Sequence, residues 1–94
     1  MIAIHSSTDL GQAARAARKR LGLTQPQLAL AAGVGVRFIV EMEAGKPSLR
    51  LSSVLQVLGA LGGRLAVEGL EDEPHVGSAT GLTAQILLVS PPSA

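Results

Sequence analysis

The stretch that decides the fold is residues 18–46, RKRLGLTQPQLALAAGVGVRFIVEMEAGK. Glycine often ends a helix, because it adopts a left-handed backbone conformation without strain. Three glycines divide the stretch: Gly22, Gly33 and Gly45. Thr24 is suited to cap a helix after Gly22, and Pro26 fits its first turn, where no intrahelical hydrogen bond is lost. The pattern predicts two short helices joined by a tight turn, the second at residues 36–43.

Helical periodicity continues on both sides of this stretch. Upstream, Thr8 or Ser7 is expected to cap a first helix, with Asp9 favourable at its positive end. Downstream, a fourth helix fits residues 51–61. Apolar residues at helical spacing form the candidate core: Leu10, Ala14, Ala17 and Leu21 in the first helix, Leu28, Ala31 and Ala32 in the second, Phe38, Ile39 and Met42 in the third, and Leu51, Val54, Leu55 and Leu58 in the fourth.

After the fourth helix the periodicity changes to that of a strand. Residues 64–68, RLAVE, alternate between apolar and polar positions. A single strand on a helical domain needs a partner, and the economical one is the same strand of a second subunit, paired through Leu65, Ala66 and Val67. Residues 84–90, AQILLVS, allow a second strand. Three roles remain open for them: a hairpin with residues 64–68, a segment that orders on a partner, or disorder.

Composition excludes several classes of protein. The 94 residues suffice for one small domain, and the absence of cysteine removes disulfides, thiolate zinc sites and cysteine nucleophiles. No apolar run approaches the roughly 20 residues of a membrane span, and the N-terminus lacks the pattern of a signal peptide, so a cytoplasmic protein without membrane contact is expected. Phe38 is the only aromatic residue, which argues against base stacking on single strands.

Charge and chemistry point to binding rather than catalysis. Residues 1–50 carry seven Lys and Arg against three acidic residues, whereas residues 51–94 carry one against four. A basic half of this kind is typical of phosphate contact. The two histidines, His5 and His75, lie near opposite ends, the acidic run 71–73 is typical of a solvated linker, and no phosphate-binding loop is present. We therefore expect no enzyme activity, no cofactor and no metal site.

The sequence resembles the Cro/C1-type (XRE) helix-turn-helix family over about residues 8–62. LGLTQPQLALAAGV matches the family's leucine, Gly-Leu-Thr-Gln, Leu-Ala and glycine turn, and FIVEMEAGKPS matches its Ile-x-x-(Ile/Met)-Glu-x-Gly-Lys/Arg ending. More narrowly, residues 33–68 are similar to the HipB-like antitoxins, in which the fourth helix runs into a strand that pairs between subunits. The resemblance implies a mainly α, lambda-repressor-like bundle of four helices plus a C-terminal strand paired across a homodimer.

A helix-turn-helix lays its second helix in the major groove of DNA, and the resemblance implies roles by position. Gln25 is placed to bind a phosphate, and Arg37 to grip O6 and N7 of guanine. The sequence leaves two roles open for Glu41: it accepts a hydrogen bond from a cytosine amine, or it repels phosphate. Arg18 and Glu43 are implied to form a structural salt bridge between the first and third helices. The DNA-binding set is Gln25, Gly35, Val36, Arg37, Val40, Glu41, Lys46, Arg50, Arg15 and Lys19.

Glycine and valine stand at recognition-helix positions where many family members carry polar residues. Val36 touches a thymine methyl or only packs, and Val40 has the same two interpretations. Fewer polar side chains at Gly35, Val36 and Val40 shift the expected recognition towards phosphate contacts and DNA shape.

The expected organisation has four parts: an N-terminal arm at 1–7, a helix-turn-helix DNA-binding domain at 8–62, a dimerisation strand at 63–69, and a linker and tail at 70–94. The resemblance to HipB-like proteins implies a homodimeric repressor of a double-stranded DNA operator that is also the antitoxin of a HipA-type serine/threonine kinase and autoregulates the operon. A stand-alone phage- or host-type repressor without a toxin has the same DNA chemistry. A third hypothesis is an interaction module that has lost DNA binding.

Overall fold

A computed structural model describes residues 1–70 and 85–89 of the protein. The elements in chain order are β1 (Ile2–Ile4), α1 (Ser7–Arg20), α2 (Gln25–Ala32), α3 (Val36–Glu43), α4 (Leu51–Ala60), β2 (Arg64–Glu68) and β3 (Gln85–Val89). The described part of the chain is thus mainly helical with four helices, as the sequence predicts.

The first helix begins earlier than predicted. Ser6, rather than Thr8 or Ser7, is the N-cap of α1, and its hydroxyl accepts a hydrogen bond from the Asp9 amide at 3.1 Å. The Asp9 carboxylate in turn accepts from the His5 amide at 3.0 Å. The prediction of the cap was wrong because three consecutive hydroxyl residues all satisfy the sequence preference.

The second helix begins with a reciprocal pair of capping bonds. The Thr24 hydroxyl accepts from the Gln27 amide at 3.2 Å, and the Gln27 side chain accepts from the Thr24 amide at 2.9 Å. Gly33 ends α2 in the left-handed conformation, with φ of 72°. The capping bonds satisfy amides that a helix start leaves without partners, and Gly33 fixes where α2 ends and the turn to α3 begins.

The core lies between the helices and consists of small and aliphatic residues. Its largest fully buried members are Leu28, Ile39, Met42, Val57 and Leu58. Four residues predicted to face it are instead exposed: Leu21, Ala31, Leu51 and Leu55. In α4 the buried positions are Val54, Val57 and Leu58. Since α4 is apolar on several faces, its composition does not define which stripe turns inward.

Three strands form a sheet in the order β1-β3-β2, with both pairings antiparallel. Ile4 of β1 is buried in the core, although the sequence predicted only an arm there. In the structure β2 pairs with β3 of its own chain, Ala66 lying opposite Leu87. Of the three roles left open for the second strand, β3 thus takes the first, pairing with residues 64–68. Among the described residues β2 is an edge strand, so its outer edge remains open.

Candidate nucleic-acid interface

Helix α3 presents one exposed face and buries the other. It packs against α1 and α2, and Ile39 and Met42 are its buried residues. The opposite face carries Val36 and Val40, both more than two-fifths exposed, and Arg37, whose side chain is 91% exposed. The turn at residues 33–35 sets this helix after α2. The arrangement offers α3 as a helix that enters a groove with its N-terminal half.

Gly11 allows α1 to meet the end of α3. A Cβ atom at Gly11 would overlap the carbonyl oxygen of Met42 and lie 3.0 Å from that of Glu43. Gly11 was not among the residues predicted from the sequence. The sequence does carry an indication of this role. A glycine inside a helix costs about 1 kcal/mol relative to alanine, so its presence there indicates a packing requirement.

Arg18 and Glu43 lock α1 to the C-terminal end of α3. The Arg18 Nε donates to Glu43 Oε2 at 2.7 Å, and Nη2 donates to Oε1 at 3.0 Å. Nη1 donates to the Leu23 carbonyl at 2.8 Å, and this bond connects Arg18 to the loop before α2. The hydrogen bond to Glu43 raises the pKa of Arg18, desolvation opposes this, and Coulombic attraction to Glu43 adds to it. The pair therefore lies where the resemblance implied a structural salt bridge.

Gln25 joins this network from the start of α2. Its Nε2 donates to Glu43 Oε1 at 3.3 Å. A side-chain amide carries two N–H groups, and the bond to Glu43 uses one of them. Glu43 thus orients the side chain that the sequence assigns to a phosphate contact.

A second cluster joins Arg37, Glu41 and Lys46. Glu41 Oε2 lies 3.7 Å from Arg37 Nε and 3.1 Å from Lys46 Nζ. A polar concave surface of about 450 Å³ beside α3 is lined by Glu41, Lys46 and Arg50, together with Ser48, Ser53 and Gln56. The structure thus gives Glu41 intramolecular partners, which neither sequence interpretation of it included.

The remaining predicted residues lie outside these two clusters. Arg15 and Lys19 are exposed one turn apart on α1, and within residues 1–70 no ion pair includes them. Gly35 is the exposed N-cap of α3. In β2, Leu65 and Ala66 are half-buried and Val67 is exposed.

Neither a metal-binding cluster nor a membrane-spanning helix is found in the described part of the chain. In residues 1–70 and 85–89, no three His, Cys, Asp or Glu side chains come together as a metal site would require. No helix in the same ranges has the length and apolar character needed to cross a membrane.

A short helix with an exposed face, held against two others by a capped turn and a partly buried ion pair, defines a DNA-binding domain of the helix-turn-helix class. The model of the helix-turn-helix family HTH_3 matches residues 15–67. The chain is 51% identical over 59 residues to the "Uncharacterized HTH-type transcriptional regulator y4mF" of Sinorhizobium fredii (strain NBRC 101917 / NGR234), covering 63% of this chain and 78% of that protein. The chain belongs to this XRE-type helix-turn-helix family and is a DNA-binding transcriptional regulator of that kind.

Proposed function

We propose that the protein is a sequence-specific repressor that binds a palindromic operator in double-stranded DNA and autoregulates its own operon. The observation that carries this proposal is the exposed face of α3, with the Arg37 guanidinium extended into solvent at the second position of the helix. An arginine there can donate two hydrogen bonds to a guanine. Val36, also exposed, supplies apolar contact to a thymine methyl.

Phosphate contacts around α3 fix the register of this readout. Gln25 donates from the start of α2, while Lys46 and Arg50 follow α3 in the chain. Arg15 and Lys19 on α1 add positive charge, and Gly35 lets the backbone come close to the duplex. Contacts of this kind position a protein on DNA without reading its sequence.

Dimerisation through β2 is supported by the open edge and the charges of that strand. In a two-fold antiparallel pairing centred on Ala66, Arg64 of one copy faces Glu68 of the other, and Leu65 faces Val67. Opposite charges and apolar pairs placed directly across two strands each stabilise a sheet by about 0.2–1 kcal/mol. The five residues are thus complementary to a second copy of themselves. The resulting dimer would present two α3 helices to two half-sites about one DNA turn apart.

We further propose that the repressor is the antitoxin of a HipA-type serine/threonine kinase. Support comes from the similarity of residues 33–68 to HipB-like antitoxins, and from the passage of α4 through Gly62 and Gly63 directly into β2. Between Ala60 and Arg64 the described chain contains no further helix. We place the contact with this partner in the acidic half of the sequence, residues 51–94, because its charge is opposite to that of the basic half.

The test is an electrophoretic mobility shift with the DNA immediately upstream of this gene, with and without the product of the adjacent gene. We expect a salt-sensitive shift that random DNA does not compete away, and a further shift when the adjacent product is added. A shift unaffected by that product would assign the chain as a stand-alone repressor. The absence of any shift at low salt would contradict the repressor proposal and favour the interaction module.

A further inference from the structure

Glu41 is the acidic residue of α3 that lies beside the cations of the proposed interface. One of its oxygens, Oε2, serves both Arg37 Nε at 3.7 Å and Lys46 Nζ at 3.1 Å. Its side chain is 30% exposed, whereas that of Arg37 is 91% exposed. The carboxylate therefore lies beneath the arginine and beside the lysine, at the border of the DNA-facing surface.

The contact with Lys46 is built into the backbone. The Lys46 amide donates to the Glu41 carbonyl at 3.1 Å, and Gly45, with φ of 84°, donates to the Met42 carbonyl at 3.0 Å. Such a pair of bonds is a helix-ending motif that fixes the residue after the glycine. The backbone thus holds Lys46 close to Glu41, which places the Lys46 side chain within reach of the carboxylate.

A guanidinium binds DNA in two ways, by an end-on contact to guanine or by attraction to a phosphate, and a carboxylate beside Arg37 affects the two differently. The contact between Arg37 and Glu41 joins Nε to Oε2 at 3.7 Å, and it involves neither of the two terminal nitrogens, Nη1 and Nη2. Two terminal nitrogens are what an end-on contact to guanine O6 and N7 requires. A phosphate, in contrast, is attracted to the whole positive charge and is repelled by a carboxylate beside it.

We propose that Glu41 is a positioning residue that sets the selectivity of DNA binding, by holding Lys46 and the Nε edge of Arg37 away from phosphates. The carboxylate weakens binding to arbitrary sequences, where phosphate contacts supply nearly all of the affinity. At a matching guanine the terminal nitrogens of Arg37 still bind. The carboxylate therefore lowers the affinity for the operator less than it lowers the affinity for arbitrary sequences. This inference rests on the proposed repressor function, because it concerns the ratio of two DNA affinities.

The other charged and polar groups at this place do not replace Glu41. Arg50 lines the same concave surface and adds positive charge, and the neutral Ser53 and Gln56 face it from α4. Among the residues that line it, Glu41 is the acidic one. After removal of its charge, the charged residues that line this surface are the two cations Lys46 and Arg50.

The experiment compares the wild-type protein with Glu41→Gln, which keeps the shape of the side chain and removes its charge. Each protein selects duplexes from one randomised DNA library, and the affinity for the wild-type selected duplex and for a random duplex is then measured between 50 and 200 mM salt. We expect Glu41→Gln to bind the random duplex about fivefold more tightly, with a salt dependence steeper by about 0.9 in logarithmic slope. We expect the ratio of the two affinities to fall by a similar factor.

A matched variant, Glu71→Gln, removes the same charge from the acidic run at 71–73 and should leave the ratio unchanged. Equal gains of Glu41→Gln on both duplexes would overturn the inference and reduce Glu41 to a general repulsive charge. Unchanged affinities on both would also overturn it. A wild-type protein that enriches no sequence would contradict the proposed function itself, which distinguishes that failure from the failure of the inference.

Discussion

Arg18 and Glu43 are joined by two hydrogen bonds across 25 residues of chain, with 11% and 6% of their side chains exposed. The ion pair links the last turn of α1 to Glu43, the last residue of α3. Because the folded-state pKa of Arg18 is raised, its contribution to stability is fully present below the ordinary arginine pKa and is lost only in strong alkali. Orientation of α3 therefore depends on an arginine that keeps its charge until strong alkali.

Arg18→Ala should lower the free energy of unfolding by about 3 kcal/mol, because it leaves the Glu43 carboxylate nearly buried without its main partner. Urea unfolding followed by circular dichroism measures the loss. Arg15→Ala, an exposed change on the same helix, should stay within about 0.5 kcal/mol of the wild type. The double variant Arg18→Met/Glu43→Leu should recover much of the stability, since no buried charge remains. Equal stability of Arg18→Ala and Arg15→Ala would show that the pair is not structural.

Gly11→Ala should destabilise the fold and weaken DNA binding together. The new methyl group would push α1 away from the Met42 and Glu43 carbonyls, and we expect a loss of about 1–3 kcal/mol. Gly59→Ala is the matched change, because a Cβ at Gly59 in α4 meets open space and alanine is the better helix former by about 1 kcal/mol. Thermal melting of both variants checks the opposite signs. A stable Gly11→Ala protein with full DNA affinity would contradict the close approach of the two helices.

Arg37→Ala should weaken binding to the operator by about ten- to a hundredfold and binding to random DNA much less. The reason is that base contacts discriminate between sequences, whereas phosphate contacts do not. Fluorescence anisotropy with labelled duplexes of both kinds measures the two affinities. Arg20→Ala removes the same charge from the end of α1 and should affect both duplexes alike. Should Arg37→Ala also affect both alike, Arg37 would be a phosphate contact.

Charge reversal in β2 should break the proposed dimer, and the exchange of both charges should restore it. Arg64→Glu places two carboxylates opposite each other at each end of the two-fold strand pair, and Glu68→Arg places two guanidinium groups there. The double variant Arg64→Glu/Glu68→Arg recreates opposite pairs. Analytical ultracentrifugation measures the dissociation constant of each. If the single variants dimerise as the wild type does, the two-fold register centred on Ala66 is wrong.

Local sequence rules are sufficient to predict most of the fold. Glycines with left-handed backbone, the Thr24 cap and helical spacing predict α2, α3 and α4 to within a residue or so, and alternation predicts β2. The features that these rules miss depend on contacts distant in sequence. The three residues of β1 are too few for periodicity to reveal, and only β3, which follows β1 by some eighty residues, makes them a strand. The exposed Leu51 and Leu55 were likewise misplaced, because α4 is apolar on more than one face.

In the candidate site, too, local patterns select residues but do not predict their contacts with residues distant in sequence. The resemblance and the helix boundaries select Arg37, Lys46 and Gln25 as candidate DNA contacts, and these assignments stay predictions. Their partners were not foreseeable. That Glu41 holds two cations through one oxygen, and that Glu43 receives Gln25 as well as Arg18, depends on side-chain directions that no local pattern contains.

The central place of β3 in the sheet has a consequence for the order of folding during synthesis. Strands β1 and β2 both pair with β3 and not with each other, yet β3 leaves the ribosome after both. The helical bundle can form as soon as α4 has emerged, because its contacts are complete by then. Ile4, the first core residue to be made, gains its strand partner only when Ile86 appears. Strands β1 and β2 thus both gain their strand partner only once β3 has been made.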